Sequence, residues 1–511
     1  MRIVWGLFIG LKLSLMALTF SVTAFAKSVE IKSENFVLVG SVREADGKAL
    51  LLELEQYRQA ILQMLGVQDP LPEIITVRIY TVSGDKELKL LTGRTDIGGV
   101  YQSTLEGPVF ILNSQKGFRR GKQARHIALH EFTHHILAAY THQIYPRWYN
   151  EGLANYFATF EVTKEGYIII GRPNNPYAYT LSSKRWMSTN VLVNSVLSYP
   201  FRSTGKATRG LSTVDFFYAQ SWLAVHYIQS VKGESAKLAE YVKIINEKRG
   251  VPNAFEQAFG RSPEEFEQQL KTYYKRNKYR TLTIKLKTPI RDHTFSVRQL
   301  NKGEAEFHKA EAMRFFSSDF VKTDQVRKQY DKAAKVLGET PEILSARADL
   351  ATWDSDYKQA KTFIDKALDA EPENPNILRL AGMVLFYKNQ TEDSNISDTE
   401  LEVARSFLKQ ALMQNPDDVA AHYYYAAISA MMYETPSEQA LASAETAVTY
   451  YSSGNAIETN LNLAQVLLRG GKYKPALPAV NKAMIWSRNG GARMQAREMK
   501  KEIMREMERG N

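Results

Sequence analysis

A recurring spacing of small and branched residues in the C-terminal half is the feature that most constrains the fold. Ala360, Ile364, Ala367 and Pro372 stand at offsets of 0, 4, 7 and 12, and the same offsets recur from Ala404. Offsets of 4 and 7 place side chains on one face of a helix, and a proline cannot continue a helix. The copies are Ala404, Leu408, Ala411, Pro416; Ala476, Val480, Ala483; and, more weakly, Val326, Tyr330, Ala333 and Ala440, Ala444, Ala447. The pattern predicts a repeated helical unit.

Each of these helices follows another helix that carries a small residue of its own. Ala348 lies 12 residues before Ala360. Gly382 lies 22 residues before Ala404, so the second unit contains an insertion near residues 388–398. Small residues at these positions let the two helices of a pair approach closely.

The helix pairs resemble tetratricopeptide repeats, four or five of them over residues 303–490, with a C-terminal helix or tail at 491–511. The large aromatic residue that is usual early in the motif is missing, so an irregular helical bundle is the alternative interpretation. The resemblance implies an all-α solenoid with a concave groove that binds an extended polypeptide, either a substrate or a protein partner.

Residues 27–290 alternate between strand-like and helix-like segments, which predicts an α+β domain. Strands are predicted at 33–40, 74–81, 108–113 and 281–288, and helices at 48–66, 122–140 and over much of 211–280. The 108–113 strand is expected near a sheet edge. Residues 291–302, after Pro289, are interpreted as a linker to the repeats.

The first 26 residues have the features of a secretory signal peptide. Arg2 precedes a mostly apolar stretch, and Ala24, Phe25 and Ala26 form a small-x-small cleavage pattern. Lys12 argues against the alternative, an uncleaved membrane anchor, because a charge at bilayer depth is costly. Removal of residues 1–26 takes away two positive charges and lowers the net charge from +11 to +9. We therefore expect export, to a bacterial periplasm.

The chain has no cysteine, which excludes disulfides, iron–sulfur clusters, thiolate zinc sites and cysteine nucleophiles. Its positive charge is concentrated in residues 116–125 and 273–287. Solvated surface is the plain interpretation of both segments, and an anionic envelope partner is the alternative. Nucleic acid is not expected as a partner, because it requires a basic face with stacking aromatic residues and an exported protein seldom meets it.

His130, Glu131 and His134 form an HExxH pattern inside the predicted helix 122–140. Residues i and i+4 lie on one face of a helix, so the two imidazoles can bind one metal ion. Glu131 is adjacent and is placed to accept a proton from a water in the site. A hydrolytic zinc site needs a third protein ligand.

Glu151 is the candidate for that third ligand. It lies in the segment WYNEGLANYF, residues 148–157, and Pro146 separates this segment from the first helix. A second helix that returns antiparallel to the first would bring Glu151 over the two histidines. Gly152 and Ala154, beside the acid, would allow a close approach of this helix.

The two motifs together resemble the gluzincin branch of zinc metallopeptidases, which carries a W-x-N-E-G-x-A type signature on its second helix. The resemblance implies a zincin-like fold in which one zinc ion is bound by His130, His134 and Glu151, with Glu131 as the general base. Asn155, four residues after Glu151, stands where some gluzincins place a partner for a ligating histidine, although that partner is usually an acid.

Other polar residues have less specific roles. Tyr218 is favoured over His226 as the donor that stabilises the developing oxyanion, because gluzincin aminopeptidases place a tyrosine at a comparable distance after the ligand glutamate. A packed core tyrosine is the alternative. His126 and His135 are interpreted as ordinary polar contacts. Residues 98–101 and 108–113 resemble the edge strand on which these enzymes bind the substrate backbone, with a plain structural strand as the alternative.

The sequence thus predicts an exported zinc metallopeptidase, with a zinc-bound water as nucleophile and repeats that recruit a polypeptide. The aminopeptidase motif G-x-M-E-N is absent, so exopeptidase activity is not implied. The alternative is an envelope scaffold whose repeats bind a partner and whose zinc domain is structural. A zinc hydrolase that acts on a non-peptide substrate, such as a cell-wall crosslink, is a third interpretation.

Overall fold

A computed structural model describes most of residues 28–509. The described residues are 28–67, 76–92, 98–118, 123–141, 143–183, 186–194, 212–247, 251–286, 294–315, 322–391, 398–450, 456–486 and 490–509. The predicted signal peptide, residues 1–26, lies outside them. None of the helices in these ranges combines the length and the apolar character needed to cross a membrane.

The N-terminal part contains strands and helices in alternation. The strands are β1 (Ser28–Lys32), β2 (Phe36–Ser41), β3 (Val77–Val82), β4 (Gly99–Thr104), β5 (Gly107–Asn113), β6 (Glu161–Val162), β7 (Tyr167–Ile170), β8 (Leu282–Lys285) and β9 (Ser296–Gln299). The helices are α1 (Glu44–Met64), α2 (Asp85–Thr92), α3 (Gln123–Thr141), α4 (Arg147–Phe157), α5 (Asn175–Ser182), α6 (Thr189–Asn194), α7 (Thr213–Ser230), α8 (Glu234–Glu247), α9 (Ala254–Phe259) and α10 (Pro263–Arg276).

The C-terminal part is helical throughout the described residues. Its helices are α11 (Lys302–Phe315), α12 (Thr323–Leu337), α13 (Pro341–Trp353), α14 (Tyr357–Ala370), α15 (Pro375–Thr391), α16 (Asp398–Gln414), α17 (Val419–Met431), α18 (Glu438–Tyr450), α19 (Ala456–Arg469), α20 (Tyr473–Trp486) and α21 (Gly490–Arg509).

Six strands form the main sheet, in the order β4-β5-β3-β2-β1-β9. β2, β3 and β5 are parallel, and the other three run antiparallel to their neighbours. β4 is therefore an edge strand. β5, which the sequence analysis expected near a sheet edge, is the second strand from that edge. β6, β7 and β8 form a separate small antiparallel sheet.

β9 lies within residues 291–302, which the sequence analysis interpreted as a linker. It pairs with β1, with Val29 opposite Gln299, and Val297 packs against the core. Without β9 the backbone groups of β1 would form an unpaired sheet edge, which is unfavourable unless covered. Part of the proposed linker is thus a structural strand of the N-terminal sheet.

The three parallel strands bury apolar side chains on both faces, as parallel strands commonly do. We name the two faces by what covers them. The site face consists of Phe36, Leu38, Val77, Ile79, Phe110 and Leu112, and it packs against α1 and α3. The repeat face consists of Val39, Tyr80, Val82, Val109 and Ile111, and it packs against α2 and α11–α13.

Buried charges accompany the apolar contact on the repeat face. Arg314 of α11 donates to both carboxylate oxygens of Glu106, in the β4–β5 turn, at 2.8 and 3.0 Å. It also bonds Asp349 of α13 and, at 3.0 Å, Glu311. Burial alone would raise the pKa of Glu106, but Arg314 holds it well below its usual range. The hairpin tip is therefore tied to the first helices of the repeat region.

The C-terminal helices pack as tetratricopeptide-like pairs, α11 with α12 through α19 with α20, and α21 packs on α20. The first helices of neighbouring pairs also contact one another from α13 to α19. The small residues that predicted the repeat, Ala360, Ala404 and Ala476, are fully buried. A Cβ at Gly382 would lie 2.6 Å from the Leu408 side chain, so this pair requires glycine.

Candidate metal centre

Two consecutive helices carry the predicted ligands. α3 presents His130 and His134 one turn apart, and α4 presents Glu151. Pro146 caps the start of α4 in an extended conformation, so the chain turns before the second helix begins. The two helices pack against each other.

The three predicted ligand side chains converge on one point. His130 Nε2 lies 3.2 Å from His134 Nε2 and 3.2 Å from Glu151 Oε2, and His134 Nε2 lies 3.4 Å from the same oxygen. Within the described residues, these three form the one cluster of His, Asp and Glu donors close enough to share an ion. Glu151 is 3% exposed, whereas the histidine side chains are 12% and 17% exposed.

This triangle fits zinc in its dimensions and in its donor types. A tetrahedral zinc ion with bonds of about 2.0–2.1 Å to nitrogen and oxygen separates its ligand atoms by about 3.3–3.4 Å. The three measured separations lie at or near that value. Two imidazole nitrogens and one carboxylate oxygen are also a known ligand set for catalytic zinc, with a fourth position left for water or substrate.

Mutual contact shifts the acid–base properties of these residues in opposite directions. Burial alone would raise the pKa of Glu151, but the adjacent His134 and His130 hold it well below its usual range. Burial alone would lower the pKa of His134, but the Glu151 carboxylate raises it to about 9. Each of the two groups therefore favours the charged form of the other.

Asn150 positions one of the two histidines, a role that the sequence analysis did not assign. Its Oδ1 lies 2.8 Å from His134 Nδ1, so Nδ1 is the protonated nitrogen of the neutral ring. The Nε2 lone pair then faces the other donors, as metal binding requires. Asn150 immediately precedes Glu151 in the second motif. Its place beside a predicted ligand was the sequence signal from which its role could have been inferred.

Helix α7 holds α4 in place from behind. A Cβ at Gly152 would lie 2.3 Å from the Ser221 carbonyl oxygen of α7, so the two backbones are in contact there. The sequence analysis expected the small residues beside Glu151 to allow a close approach to the histidine helix, whereas the close contact at Gly152 is with α7. The same helix carries Tyr218, whose ring centroid is 6.4 Å from that of His130. Tyr218 therefore lies next to the donors, on the helix that supports α4.

His226, the alternative to Tyr218, lies elsewhere on α7. Its Nε2 is 2.8 Å from the Gly171 carbonyl oxygen and its Nδ1 is 2.9 Å from the Tyr273 hydroxyl. It is fully buried, and burial lowers its pKa. His226 thus links α7 to α10 and to the loop after β7.

His126 and His135 are not part of the donor triangle, although the His126 ring centroid lies 6.3 Å from that of His130. His126 Nε2 is 3.3 Å from Asn155 Oδ1, which also accepts a hydrogen bond from the Tyr177 hydroxyl at 2.7 Å. Burial, with the nearby His130, lowers the pKa of His126 to about 4. His135 stacks on Phe132 with ring centroids 5.6 Å apart. Asn155 therefore contacts His126, and the expected partnership with a ligating histidine falls to Asn150 and His134.

Glu131 is half-buried on α3, between the two histidines in sequence. Its charge contributes to the raised pKa of His134, so it lies near the donor triangle. The edge strand β4 packs beside the same helix. A Cβ at Gly98 would lie 2.8 Å from Ile127 of α3, and one at Gly99 would lie 2.7 Å from the Ile111 carbonyl oxygen. The glycines bring the edge strand close to the helix that carries HExxH.

Comparison with known proteins gives only distant structural similarities. No protein-family model matches the chain, and no curated protein resembles it significantly in sequence. Similar solved structures include a thermophilic TPR protein of Thermus thermophilus, with 19% identity over 39% of this chain and 98% of that one and a TM-score of 0.32. YrrB, described as a TPR protein with an unusual peptide-binding site, has 18% identity over 39% and 94%, with a TM-score of 0.28.

Yeast Tom70 has 14% identity over 65% of this chain and 72% of that one, with a TM-score of 0.24. TM-scores of this size are too low to argue from. The description of the C-terminal region as tetratricopeptide-like repeats stands on its helix pairs and on the spacing of its buried small residues.

Proposed function

We propose that this chain is a zinc-dependent metallopeptidase whose repeats bind a polypeptide substrate or partner. The observation that carries the proposal is the donor triangle of His130, His134 and Glu151, with sides of 3.2, 3.2 and 3.4 Å. One helix supplies two of the donors and the next helix supplies the third. Since Glu131 lies beside this triangle, the constellation includes a base as well as a metal site.

The zinc ion would be held by His130 Nε2, His134 Nε2 and Glu151 Oε2, and it would supply a Lewis acid at a peptide carbonyl. Glu131 accepts a proton from the attacking water and returns it to the leaving amide nitrogen. Tyr218 donates its phenolic hydrogen to the carbonyl oxygen as negative charge develops there. Asn150 keeps His134 in the tautomer that leaves Nε2 free to bind.

The edge strand β4 is the proposed site for the substrate backbone. Its outer edge has no strand partner in the described sheet, and an extended peptide can pair with such an edge. β4 ends at the turn that contains Glu106, which Arg314 of the repeat region binds. The edge strand therefore lies close to the repeats, where a polypeptide bound by the repeats can reach it.

Export to a periplasm belongs to the same proposal and rests on the leader at residues 1–26. The predicted site after Ala26 is testable from the N-terminal sequence of the protein recovered from a host's periplasm.

Glu131→Gln tests the enzyme proposal. The variant keeps the shape of the side chain and removes the base, so zinc content should stay at one ion per chain while cleavage of an unfolded protein falls by a factor of about 100 or more. Glu240→Gln, an exposed glutamate of α8, is the matched control and should cleave as the native chain does. Cleavage that survives Glu131→Gln at the native rate would exclude the enzyme proposal.

A structural metal domain with adaptor repeats is the second candidate, and the helix pairs of the repeat region favour it, because stacked helix pairs form extended binding surfaces. In that case zinc removal would unfold the N-terminal part, and neither the native chain nor the Glu131→Gln variant would cleave a polypeptide.

A further inference from the structure

The segment formed by residues 275–285 is strongly basic and unused by the proposed reaction. It begins in the last turn of α10 and ends with β8, and it contains Lys275, Arg276, Lys278, Arg280 and Lys285 but no acid. All five side chains are exposed. We refer to these eleven residues as the basic segment.

In the part of the chain that the structure describes, none of these five cations forms an ion pair. The neighbouring cations differ in this respect. Lys271 pairs with Glu267 at 2.7 Å, and Arg172 pairs with Glu161 at 2.6 Å. Among the described residues no acid neutralises the positive charge of the basic segment, which can attract an external anion.

The tyrosines in and beside the basic segment pack against, or form hydrogen bonds with, other residues of the protein. The Tyr273 hydroxyl lies 2.9 Å from His226 Nδ1, and Tyr274 donates to the Ala178 carbonyl oxygen at 2.9 Å. The Tyr279 ring packs on Trp222 with centroids 5.5 Å apart. These rings hold the segment against the core, and they are not placed to stack on nucleobases. A single-stranded nucleic acid would need such stacking platforms.

Two exposed apolar side chains accompany the cations. Tyr167 of β7 is 42% exposed and stands directly opposite Lys285 of β8, so the two share one face of the small sheet. Leu282, within the basic segment, is 37% exposed but stands opposite the buried Ile170, so it lies on the other face of this sheet. Aromatic and apolar side chains among lysines and arginines are typical of protein surfaces that lie at the headgroup level of a bilayer. An interface with an acidic protein would call for a larger apolar core.

We propose that the basic segment binds the surface of an anionic phospholipid bilayer. The five cations attract the headgroups, and Tyr167, on the same face as Lys285, enters the interfacial layer. Each lysine or arginine near an anionic leaflet strengthens binding about fivefold. This surface does not depend on zinc or on the proposed peptidase activity.

The test is co-sedimentation of the full chain with vesicles. Native protein should bind vesicles of phosphatidylglycerol and phosphatidylethanolamine, should bind vesicles of phosphatidylcholine weakly, and should be released by high salt. The triple variant Lys275→Gln, Arg276→Gln, Lys278→Gln should lose on the order of a hundredfold in the apparent partition coefficient. A thermal unfolding curve confirms that it is folded.

The matched control is Lys361→Gln, Lys366→Gln, Lys501→Gln, which removes three exposed cations that each have an acidic neighbour. It changes the net charge equally and should bind vesicles as the native protein does. Equal losses in the two triple variants would overturn the proposal, because binding would then follow net charge alone. Release from vesicles by low concentrations of polyglutamate or duplex DNA would also overturn it, in favour of a macromolecular partner.

Discussion

The two faces of the main sheet are covered in different ways, although the same three parallel strands supply both. The site face meets α1 and α3, which come from the same domain, and its contacts are almost wholly apolar, such as Phe36 against Phe132 with ring centroids 5.0 Å apart. The repeat face meets helices from the C-terminal region and combines apolar contacts with the buried Arg314 cluster.

This difference teaches that the repeats are a structural part of the N-terminal domain. The repeat face contributes to a continuous cluster that includes Met313, Tyr330 and Leu350 of the repeat region. Apolar surfaces of this kind are not exposed in stable monomeric proteins. The first helix pairs therefore complete the fold that positions the candidate metal centre. Later pairs contact the tip of the β4–β5 turn, where Leu105 packs against Val419 and Ala447.

Among the changes that test this comparison, removal of the repeats should have the largest effect on the stability of the N-terminal domain. In a chain of residues 28–301, the five buried side chains of the repeat face lose the cover of α11–α13 and keep only that of α2. Full exposure would cost about 1.5–3 kcal/mol for each side chain, so even partial exposure of all five removes a large share of a domain's free energy of unfolding, about 5–15 kcal/mol. We expect this fragment to be aggregated and sensitive to protease. A chain of residues 28–450, which keeps the cover, is the control and should resist protease. A monomeric, protease-resistant 28–301 would mean that the repeats are a separate unit.

A matched pair of core substitutions, one on each face of the sheet, should change the free energy of unfolding by a smaller amount. The pair compares the packing of the two faces directly. Ile79 on the site face is 1% exposed and Ile111 on the repeat face is 0% exposed. Replacement of either by alanine should lower the free energy of unfolding by about 2–5 kcal/mol, because both leave a cavity in packed surroundings. Urea unfolding measures both. A cost below about 1 kcal/mol for Ile111→Ala alone would show that the repeat face is only loosely covered.

Asn150→Ala should have the smallest effect on the protein. Its effect should be confined to zinc affinity at the candidate site, on the site-face side of the sheet. The His134 ring loses the acceptor at its Nδ1, so zinc affinity should fall about 10–100-fold, as measured by titration calorimetry. Asn389→Ala, which removes a buried asparagine of α15 far along the repeats, is the control and should leave zinc affinity unchanged. Native affinity in Asn150→Ala would mean that this hydrogen bond does not position the ligand.

Features that depend on local helix geometry were predictable from the sequence. Residues four apart on a helix share a face, so the two histidines of HExxH lie together in the structure as expected. The offsets of Ala360, Ile364 and Ala367 likewise follow from one helical face packed against another, and all three are buried. The identity of the bound metal and the reaction stay predictions.

Features that depend on contacts distant in sequence were not predictable. The role of Asn150 depends on the rotation of α4, which is set partly by the contact of Gly152 with Ser221, about 70 residues later in the chain. β9 has the sequence SVRQ, residues 296–299, with a single apolar side chain, so no periodic pattern marks it as a strand. Its pairing with β1 determines its conformation, as tertiary context often does for short strands.

The pairing of β1 with β9 has a consequence for biosynthesis. Val29 cannot meet Gln299 until some 270 further residues have left the ribosome, so the nascent chain emerges with the start of its sheet unfinished. Late closure of this kind makes folding slow, since the ends of a long loop must first find each other. The N-terminal strand therefore stays without one of its two neighbouring strands until more than half of the chain has been made.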